Sequence, residues 1–316
     1  MYKIHFGPLQ GFTNHTYRKL HHKYFGGVDK YYSPYLRFER GKEFKKSAFR
    51  DLLPENNEGM SFVPQVLGND LSIFSEVLKQ IEDWGYKEVN WNLGCPYPMI
   101  TKRGFGCSLV SKPQEVKEVL DNILPKTKLK FSIKCRLGLV DENEIHELIN
   151  VLNQFEIEEL TIHTRIAKQL YKGKANPQSF LPLMSESKHK LIYNGDIVKV
   201  DDIITLDSFF EGKQKDFMIG RGLLMNPFLA SEIKGNIVEV GEKKSILKKF
   251  HSDLFGSYED NLQSSHLLST MKSQWEYLSF IFEDQHKMYK KIKKAKSINH
   301  YNDAVAEIFS NKLLTK

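Results

Sequence analysis

The amino-acid sequence predicts an α/β fold, a (β/α)8 TIM barrel followed by a small all-α C-terminal domain. From residue 3 to about 226, short apolar or alternating runs end in polar, glycine-containing loops and give way to helical patterns. This rhythm is typical of βα units, and eight of them fit a closed barrel of ordinary size. A doubly wound open sheet is the alternative, but eight evenly spaced units favour closure.

The predicted strands are short β-rich segments that precede those loops. They comprise residues 3–6, 29–33, 61–67, 88–93, 130–137, 159–163, 190–194 and 216–220. Amphipathic helices separate them: apolar residues from Leu71 to Trp84 fall on one helical face, as do those from Ile145 to Phe155. Beyond a linker at 231–241 the pattern is helical. We therefore predict a barrel domain over 1–230 and a helical domain over 242–316.

Composition and cysteine content indicate in which cellular compartment the protein works. The chain has 316 residues, a formal net charge of +7 and three cysteines without a C-x-x-C pair. The cysteine count argues against a disulfide framework and for a reducing compartment. The N-terminus has no signal-peptide pattern, and no window has the ~20 apolar residues of a membrane span. We predict a cytoplasmic protein that does not enter a membrane.

In a barrel the loops that follow the strands meet at one end, and here they are rich in polar residues. Asn194, Gly195 and Asp196 follow the seventh predicted strand, and Gly220 and Arg221 follow the eighth. Glycine amides at these two positions often bind a phosphate, and arginine adds a charge-assisted donor. Ordinary turn glycines would explain either loop alone, but the pair favours a phosphate site.

Two further residues lie where a cofactor ring would fit. Lys134 alternates with Phe131, Ile133 and Cys135, so it faces the opposite side of its strand. A lysine that projects into the barrel mouth needs an anion, and beside a flavin it would stabilise negative charge on the reduced ring. His163 ends the sixth strand and either helps to hold such a ring or is a satisfied core histidine.

Other motifs are weak or ambiguous. Gly104-Phe105-Gly106 lacks the third glycine of a dinucleotide-binding motif, and no cluster has zinc-ligand spacing. Cys95 follows the fourth strand in VNWNLGCP, but no acyl-transfer site accompanies it. The segment 286–296 carries six lysines and Tyr289; it is either a solvated helix face or a contact for a phosphate backbone.

Several motifs in order resemble the tRNA-dihydrouridine synthase family. They are GPLQGFTNHTYR, PQVLGND, VNWNLGCPYPMITKRGFGCSLVSKP, SIKCRLGL, LTIHTRIAKQLYKG, IYNGDI and MIGRGLLMNPFL, with the match running from residue 4 to about 229. The resemblance implies an FMN-containing barrel that uses NADPH to reduce the C5–C6 double bond of particular tRNA uridines. It also implies tRNA as the partner of a monomeric enzyme, with the target uridine in the D-loop.

The same resemblance assigns roles by position. Cys95 matches the general acid that gives a proton to C5, and Asn92 matches a uracil contact. The positions that match FMN contacts are Pro8, Leu9, Gln10, Gln65, Lys134, His163, Asn194, Gly195, Asp196, Gly220 and Arg221. Those that match tRNA contacts are Arg37, Arg165, Lys168, Tyr171 and, in the helical tail of the short bacterial branch, Lys272 and Gln274. Trp275 is predicted to be core.

The sequence departs from the family pattern in two places. Leu9-Gln10-Gly11 lacks the usual acidic residue, and Phe105 with Cys107 replaces smaller glycines in the mobile loop, which offers a second thiol. Two other functions remain open: a flavin reductase for a small molecule, such as an ene-reductase or a dihydroorotate-dehydrogenase-like enzyme, and an RNA-binding chaperone that keeps the barrel as a scaffold.

Overall fold

The computed structural model describes residues 1–38, 49–311 and 313. Ten parallel strands form one sheet, in the spatial order β3-β5-β6-β7-β8-β9-β10-β1-β2-β4. Their bounds are β1 Lys3–Phe6, β2 Lys30–Tyr32, β3 Leu36–Arg37, β4 Phe62–Val63, β5 Gln65–Leu67, β6 Glu88–Leu93, β7 Lys130–Gly138, β8 Glu159–Ile166, β9 Lys190–Asn194 and β10 Asp216–Ile219. Each of the eight predicted strands overlaps one of these segments, except the third, which contains two. β7 and β8 run one and three residues further than predicted, and β3 lies outside the predicted strands.

The two segments of the third predicted strand close the sheet. β4 pairs with β2, and β5 pairs with β6, while only Pro64 separates β4 from β5 along the chain. The Pro64 carbonyl accepts the backbone N–H of Asn90 at 2.8 Å. Because proline has no N–H, it interrupts the ladder at this point, and the strand changes partners there. The α/β barrel prediction is confirmed.

Helices follow the strands and cover the outside of the sheet. Within the barrel region they comprise His15–Tyr24, Leu71–Asp83, Pro98–Thr101, Pro113–Ile123, Glu144–Leu152, Leu183–Glu186, Val200–Phe209, Arg221–Met225 and Leu229–Ile233. Local sequence explains where they begin: the side chain of Asp70 accepts the N–H of Ile73 at 3.2 Å, and Asn14 caps the first helix through the N–H of Tyr17. Pro113 occupies the first turn of its own helix.

The C-terminal helices pack on the first helix of the barrel. They are Val240–Glu259, Ser264–Leu278, Gln285–Lys294 and Ile298–Ile308. Phe250 meets the rings of Tyr17 and Phe25 edge-on, and the Tyr258 hydroxyl donates to Asn14 at 2.9 Å. Buried residues of the barrel and of these helices form one hydrophobic cluster. The region is all-α, as predicted, whereas the boundaries at 230 and 242 remain a prediction.

Charged side chains line the barrel end opposite the strand-end loops. Lys30 donates to Glu88 and Glu159, and Lys190 forms ion pairs with Glu159 and Asp216. Each residue stands first in its strand, so the five meet where the strands begin. Opposite charges in contact offset much of the desolvation cost, and this cluster forms the floor of the barrel.

Among the described residues, none of the helices combines the length and the apolar character that crossing a membrane requires.

Candidate active site

A cavity opens at the end of the barrel where the parallel strands finish. It encloses about 530 Å³, part of it continuous with solvent. Its lining comes from the loops that follow β1, β8, β9 and β10, together with Lys134 from β7. The predicted cofactor residues among its lining are Pro8, Leu9, Lys134, His163, Asn194, Gly195, Asp196, Gly220 and Arg221. The structure thus brings together side chains that are more than 200 positions apart in the chain.

Two glycines on the cavity wall leave no room for a side chain. A Cβ at Gly195 would lie 2.6 Å from the Cβ of Ala175, and one at Gly222 would lie 2.1 Å from the carbonyl oxygen of Ile197. Nearby, Asp196 has a positive φ of 43°, which few non-glycine residues adopt. The loops after β9 and β10 therefore pack backbone against backbone, which leaves the cavity lined by main chain as well as by side chains.

Lys134 projects from β7 into this cavity. Its ammonium has no hydrogen-bond acceptor among the described residues. Burial, with Arg136 as the next cause, lowers the pKa of Lys134 to about 8. Lys134 is partly buried, so its ammonium loses part of its hydration without gaining an acceptor, and a bound anion would offset that cost. This residue is the strongest indication that the cavity takes a negatively charged group.

His163 is held neutral beside Lys134. Its Nε2 accepts a hydrogen bond from Arg165 Nη1 at 3.0 Å, which places the ring proton on Nδ1. Burial, followed by the positive charges of Arg136 and Lys134, holds the pKa of His163 well below its usual value. A neutral ring with a protonated Nδ1 can donate a hydrogen bond but carries no charge.

Arg165 is an interior residue that holds the cavity wall. It is 1% exposed, and its guanidinium donates to His163, to the Gly173 carbonyl at 2.7 Å and to Asp196 at 2.5 Å. Burial alone would raise the pKa of Asp196, but the hydrogen bonds from Arg165 and from the Ala175 amide outweigh it and lower that pKa. The predicted tRNA contact of Arg165 is untested, and in this structure its donors face inward.

Tyr171 lies between two guanidinium groups at the cavity rim. Arg221 is 4.7 Å from its ring centroid and Arg136 is 5.4 Å away, and the His163 ring is 6.3 Å away. Cation–π contacts of this kind help to hold an aromatic ring in place. Tyr171, predicted to touch tRNA, is thus part of the cavity lining and 37% exposed.

A chain of side-chain hydrogen bonds crosses the barrel interior to Asn92. Ser132 accepts from Asn90 at 3.0 Å, Asn90 accepts from Gln65 at 2.8 Å, and Gln65 accepts from Asn92 at 2.8 Å. The Asn92 oxygen in turn accepts the backbone N–H groups of Gly94 and Cys95, each at 2.9 Å. Among the described residues, the second N–H of the Asn92 amide has no hydrogen-bond partner.

The turn that bears Cys95 is fixed on three sides. Asn92 holds its amides, Arg136 Nε donates to the Gly94 carbonyl at 3.2 Å, and Cys107 N–H donates to the Cys95 carbonyl at 3.0 Å. A side chain at Gly94 would fit tightly, because a Cβ there would lie 3.2 Å from the backbone of Cys135. Cys95 is 6% exposed, and its thiol lies 3.6 Å from the Tyr35 hydroxyl.

The other two cysteines are sealed in the core. Cys107 donates its thiol proton to the Gly138 carbonyl at 3.1 Å, and both Cys107 and Cys135 are fully buried. Burial raises the pKa of Cys107 to about 12, and it raises that of Cys135 as well. All three cysteines are free thiols.

The remaining predicted residues lie outside the cavity lining. Gln10 is exposed, while Gln65 is buried and engaged through both ends of its amide. Lys168 is exposed and Arg37 is partly buried on β3. Lys272 donates to the carbonyls of Lys293 and Ala295, and the buried Gln274 donates to the Phe12 carbonyl at 3.4 Å. Trp275 is fully buried, which confirms its prediction as core.

Three residues of the site were missed by sequence reasoning. Arg136 alternates with Lys134 on β7, so the strand period places both on one face, but the sequence indicated no role for Arg136. Asn90 likewise alternates with Asn92 on β6. Tyr35 reaches Cys95 across a stretch of sixty residues, and its sequence context carried no signal of that contact.

Comparison with known proteins identifies the family. A sequence model described as dihydrouridine synthase (Dus) matches residues 5–313. A probable tRNA-dihydrouridine synthase of Rickettsia conorii is 24% identical over 242 residues, which cover 75% of this chain and 71% of that protein. The tRNA-dihydrouridine(16) synthase of Neisseria meningitidis is 24% identical over 241 residues, covering 73% and 71% of the two chains.

Solved structures share the fold at low sequence identity. Histamine dehydrogenase from Rhizobium sp. 4-9 superposes with a TM-score of 0.58 at 9% identity, covering 74% of this chain and 46% of that one. A variant of NCR from Zymomonas mobilis gives 0.53 at 13% identity, with 75% and 88% covered. The fold likeness and the family match over nearly the whole sequence agree, and the chain belongs to the dihydrouridine synthase family.

Proposed function

We propose that the protein is an FMN- and NADPH-dependent tRNA-dihydrouridine synthase that reduces the C5–C6 double bond of a uridine in the D-loop. The relatives named tRNA-dihydrouridine synthases support the tRNA substrate. The observation that carries the proposal is the position of the cavity: the unpartnered ammonium of Lys134 lies across the strand pair from Asn92, which holds the Cys95 turn. An anionic ring and a thiol would therefore meet at one strand end.

The residues present fit a flavin mononucleotide. The loops with Gly195 and Gly220, with Arg221 beside them, offer main-chain amides and a guanidinium for its phosphate. Lys134 supplies the cation that favours the reduced, negatively charged ring, and His163 supplies a neutral donor. When bound, this cofactor supplies a hydride to the substrate, and NADPH restores it.

Cys95 is the proposed proton donor for C5 of the uracil. Of the two thiols in this loop, Cys107 is fully buried, donates to the Gly138 carbonyl and has a pKa raised to about 12, so it is unsuited to this task. Cys95 is 6% exposed, against 0% for Cys107, and stands on a turn that three hydrogen-bonding groups hold in place. Asn92 orients that turn and has one N–H left for the base.

The grip on tRNA is assigned to exposed cations away from the cavity. On the helix Gln285–Lys294, Met288 and Ile292 face the core while Lys287, Lys290 and Lys293 are exposed. Such a face neutralises phosphates without reading sequence, which suits the backbone of a folded RNA. Lys168 and Arg37, at the barrel rim, are proposed as further contacts, and the enzyme is proposed to act as a monomer in the cytoplasm.

An anaerobic experiment tests the proposal. The purified protein is reduced with NADPH while its flavin absorbance is followed, and tRNA with or without existing dihydrouridine is then added. We expect rapid reoxidation by the unmodified tRNA only. Cys95→Ala should abolish this step, and Cys107→Ala serves as the matched thiol control. Reoxidation that is indifferent to tRNA would point instead to a small-molecule reductase, and tRNA binding without any flavin requirement would point to a chaperone.

A further inference from the structure

Tyr35 contacts the thiol of Cys95 from a separate element. Its hydroxyl lies 3.6 Å from Cys95 Sγ, and among the described residues it is the one group within hydrogen-bonding distance of that sulfur. The ring is held by an apolar cluster of Leu67, Cys95, Ile100 and Phe105, against which it packs. The contact therefore results from packing on both sides and does not depend on an exposed, freely rotating side chain.

We propose that Tyr35 is a positioning residue for the Cys95 thiol, donating a hydrogen bond that stabilises the thiolate left after proton transfer. A thiol is a stronger acid when a nearby group donates a hydrogen bond to its thiolate, because that bond stabilises the charged form. The role of Tyr35 in the reaction rests on the proposed function, whereas its contact with the Cys95 thiol does not.

The state of the phenol supports this direction of donation. Burial raises the pKa of Tyr35 above its ordinary value, and the charge of Cys95 and the hydrogen bond to it raise that pKa further. Tyr35 therefore stays protonated throughout the ordinary pH range. A protonated phenol can donate to a thiolate and can accept from a thiol, so it serves both states of Cys95.

The other groups near the pair do not replace Tyr35. Four described residues interact electrostatically with Tyr35 or Cys95: Arg37, Tyr97, Cys107 and Lys134. None of the four is hydrogen-bonded to Cys95 Sγ. Arg136 is occupied with the carbonyls of Gly94 and Ile166. Tyr97 is a useful comparison because it is a nearby tyrosine, 45% exposed, without that hydrogen bond.

The test is the pH dependence of Cys95 alkylation in the purified protein with its native cofactor content. Iodoacetamide modification is followed by mass spectrometry between about pH 6 and pH 10, with Cys95 identified by peptide mapping. Cys107 and Cys135 are fully buried and serve as internal references. We expect Tyr35→Phe to move the midpoint of the rate upward by about one pH unit, which is about ten-fold slower labelling at neutral pH.

Two variants control for indirect effects. Tyr97→Phe should leave the midpoint unchanged. Tyr35→Phe keeps the ring that packs on Leu67 and Phe105, so its Tm should match that of the wild type; Tyr35→Met, which also lacks the hydroxyl, replaces it if the first variant does not fold. A midpoint within about 0.2 pH unit of the wild type in a folded variant would overturn the proposal.

The two proposals fail in different ways. If alkylation shifts as expected but tRNA never reoxidises the reduced protein, the pairing of Tyr35 with Cys95 stands and the proposed reaction falls. If tRNA is reduced by both proteins at equal rates and the alkylation midpoint does not move, the reaction stands and Tyr35 has no part in it. We expect Tyr35→Phe to slow the tRNA-driven step by about 3- to 10-fold.

Discussion

The side-chain oxygen of Asn92 accepts the backbone N–H of Cys95 at 2.9 Å, so the last polar residue of β6 sets the direction of the turn that follows it. The same oxygen accepts the N–H of Gly94. Asn92→Ala removes both bonds and leaves Gln65 without its donor. We expect the free energy of unfolding to fall by about 2–4 kcal/mol, because buried groups are left unpaired.

Urea unfolding followed by circular dichroism measures this loss. Ser132→Ala, at the far end of the same hydrogen-bond chain, is the matched control. It should cost only about 1–2 kcal/mol, because it removes the acceptor of Asn90 and a long hydrogen bond to the Val89 carbonyl and leaves the Cys95 turn intact. Equal losses in the two variants would show that Asn92 has no special role in holding the Cys95 turn.

Lys134 should destabilise the cofactor-free protein at neutral pH. Its pKa is lowered from 10.5 to about 8 in the folded state, so between these values the unfolded chain binds more protons and stability rises with pH. Below pH ~8 the full cost is present. Lys134→Met should therefore raise the free energy of unfolding at pH 7 by about 1–3 kcal/mol, with the gain gone above pH ~10.5.

The measurement is urea unfolding of flavin-free protein at pH 7 and pH 10. The exposed Lys290→Met is the control and should have no such pH-dependent effect. Lys134→Met should also retain less FMN after purification. If Lys134→Met lowered the free energy of unfolding at pH 7, the ammonium of Lys134 would not be destabilising in the cofactor-free protein, and this would contradict the proposed anion site.

Buried neutral histidines should make the fold sensitive to mild acid. Burial lowers the pKa of His21 to about 3 and that of His251 to about 4, and it also lowers that of His163. Below pH ~6.5 these histidines become protonated in the unfolded chain but stay neutral in the folded state, so the free energy of unfolding falls as the pH drops. The expected slope is about 1 kcal/mol per pH unit for each of these histidines.

Unfolding at pH 7, 6 and 5 checks this slope. His251→Gln should reduce it, because glutamine can still meet the Tyr301 hydroxyl, which lies 2.7 Å from the histidine nitrogen, without gaining a proton. The exposed His300→Gln should leave the slope as it is. A wild-type protein equally stable at pH 7 and pH 5 would refute the expectation.

Lys272 should contribute to stability, whereas the exposed lysines of the helix Gln285–Lys294 should contribute to RNA affinity. Its ammonium donates to the carbonyl of Lys293, in the last turn of the helix Gln285–Lys294, and to that of Ala295, the residue that follows this helix. Lys272→Met should therefore lower the free energy of unfolding by about 1 kcal/mol. Lys287→Met and Lys290→Met should leave stability unchanged and weaken tRNA binding with a shallower salt dependence.

Thermal unfolding and tRNA binding at several salt concentrations separate the two effects. If Lys272→Met weakened binding as strongly as Lys290→Met while leaving Tm unchanged, the side chain would be a direct contact, as the sequence resemblance predicted.

The positions of the strands were predictable because buried parallel strands have a strong period and end in recognisable loops. The cavity was predictable for the same reason, since every strand end of a barrel points to one place. The inward turn of Arg165 was not, because it depends on Asp196, His163 and Gly173 meeting in three dimensions. The capping role of Lys272 likewise depends on a helix that begins thirteen residues later.

Contacts made by short, irregular segments escaped prediction altogether. β3 is two residues long and pairs with β5, and such a short segment carries no periodicity. The split of the third strand at Pro64 shows only as a proline in an apolar run, which equally suits a strand edge. Tyr35 directly precedes β3, and only the closed barrel places it against Cys95.

The packing of helix Val240–Glu259 on helix His15–Tyr24 has a consequence for synthesis on the ribosome. The apolar side of the first helix, with Tyr17 and Phe25 beside Phe250, stays uncovered until the last quarter of the chain has emerged. During synthesis this apolar surface of the first helix is therefore exposed for many seconds at ordinary elongation rates, about 5–20 residues per second. A chain whose elongation stalls before residue 240 leaves this apolar face without its partner helix, and we expect such a chain to aggregate more readily than the complete protein.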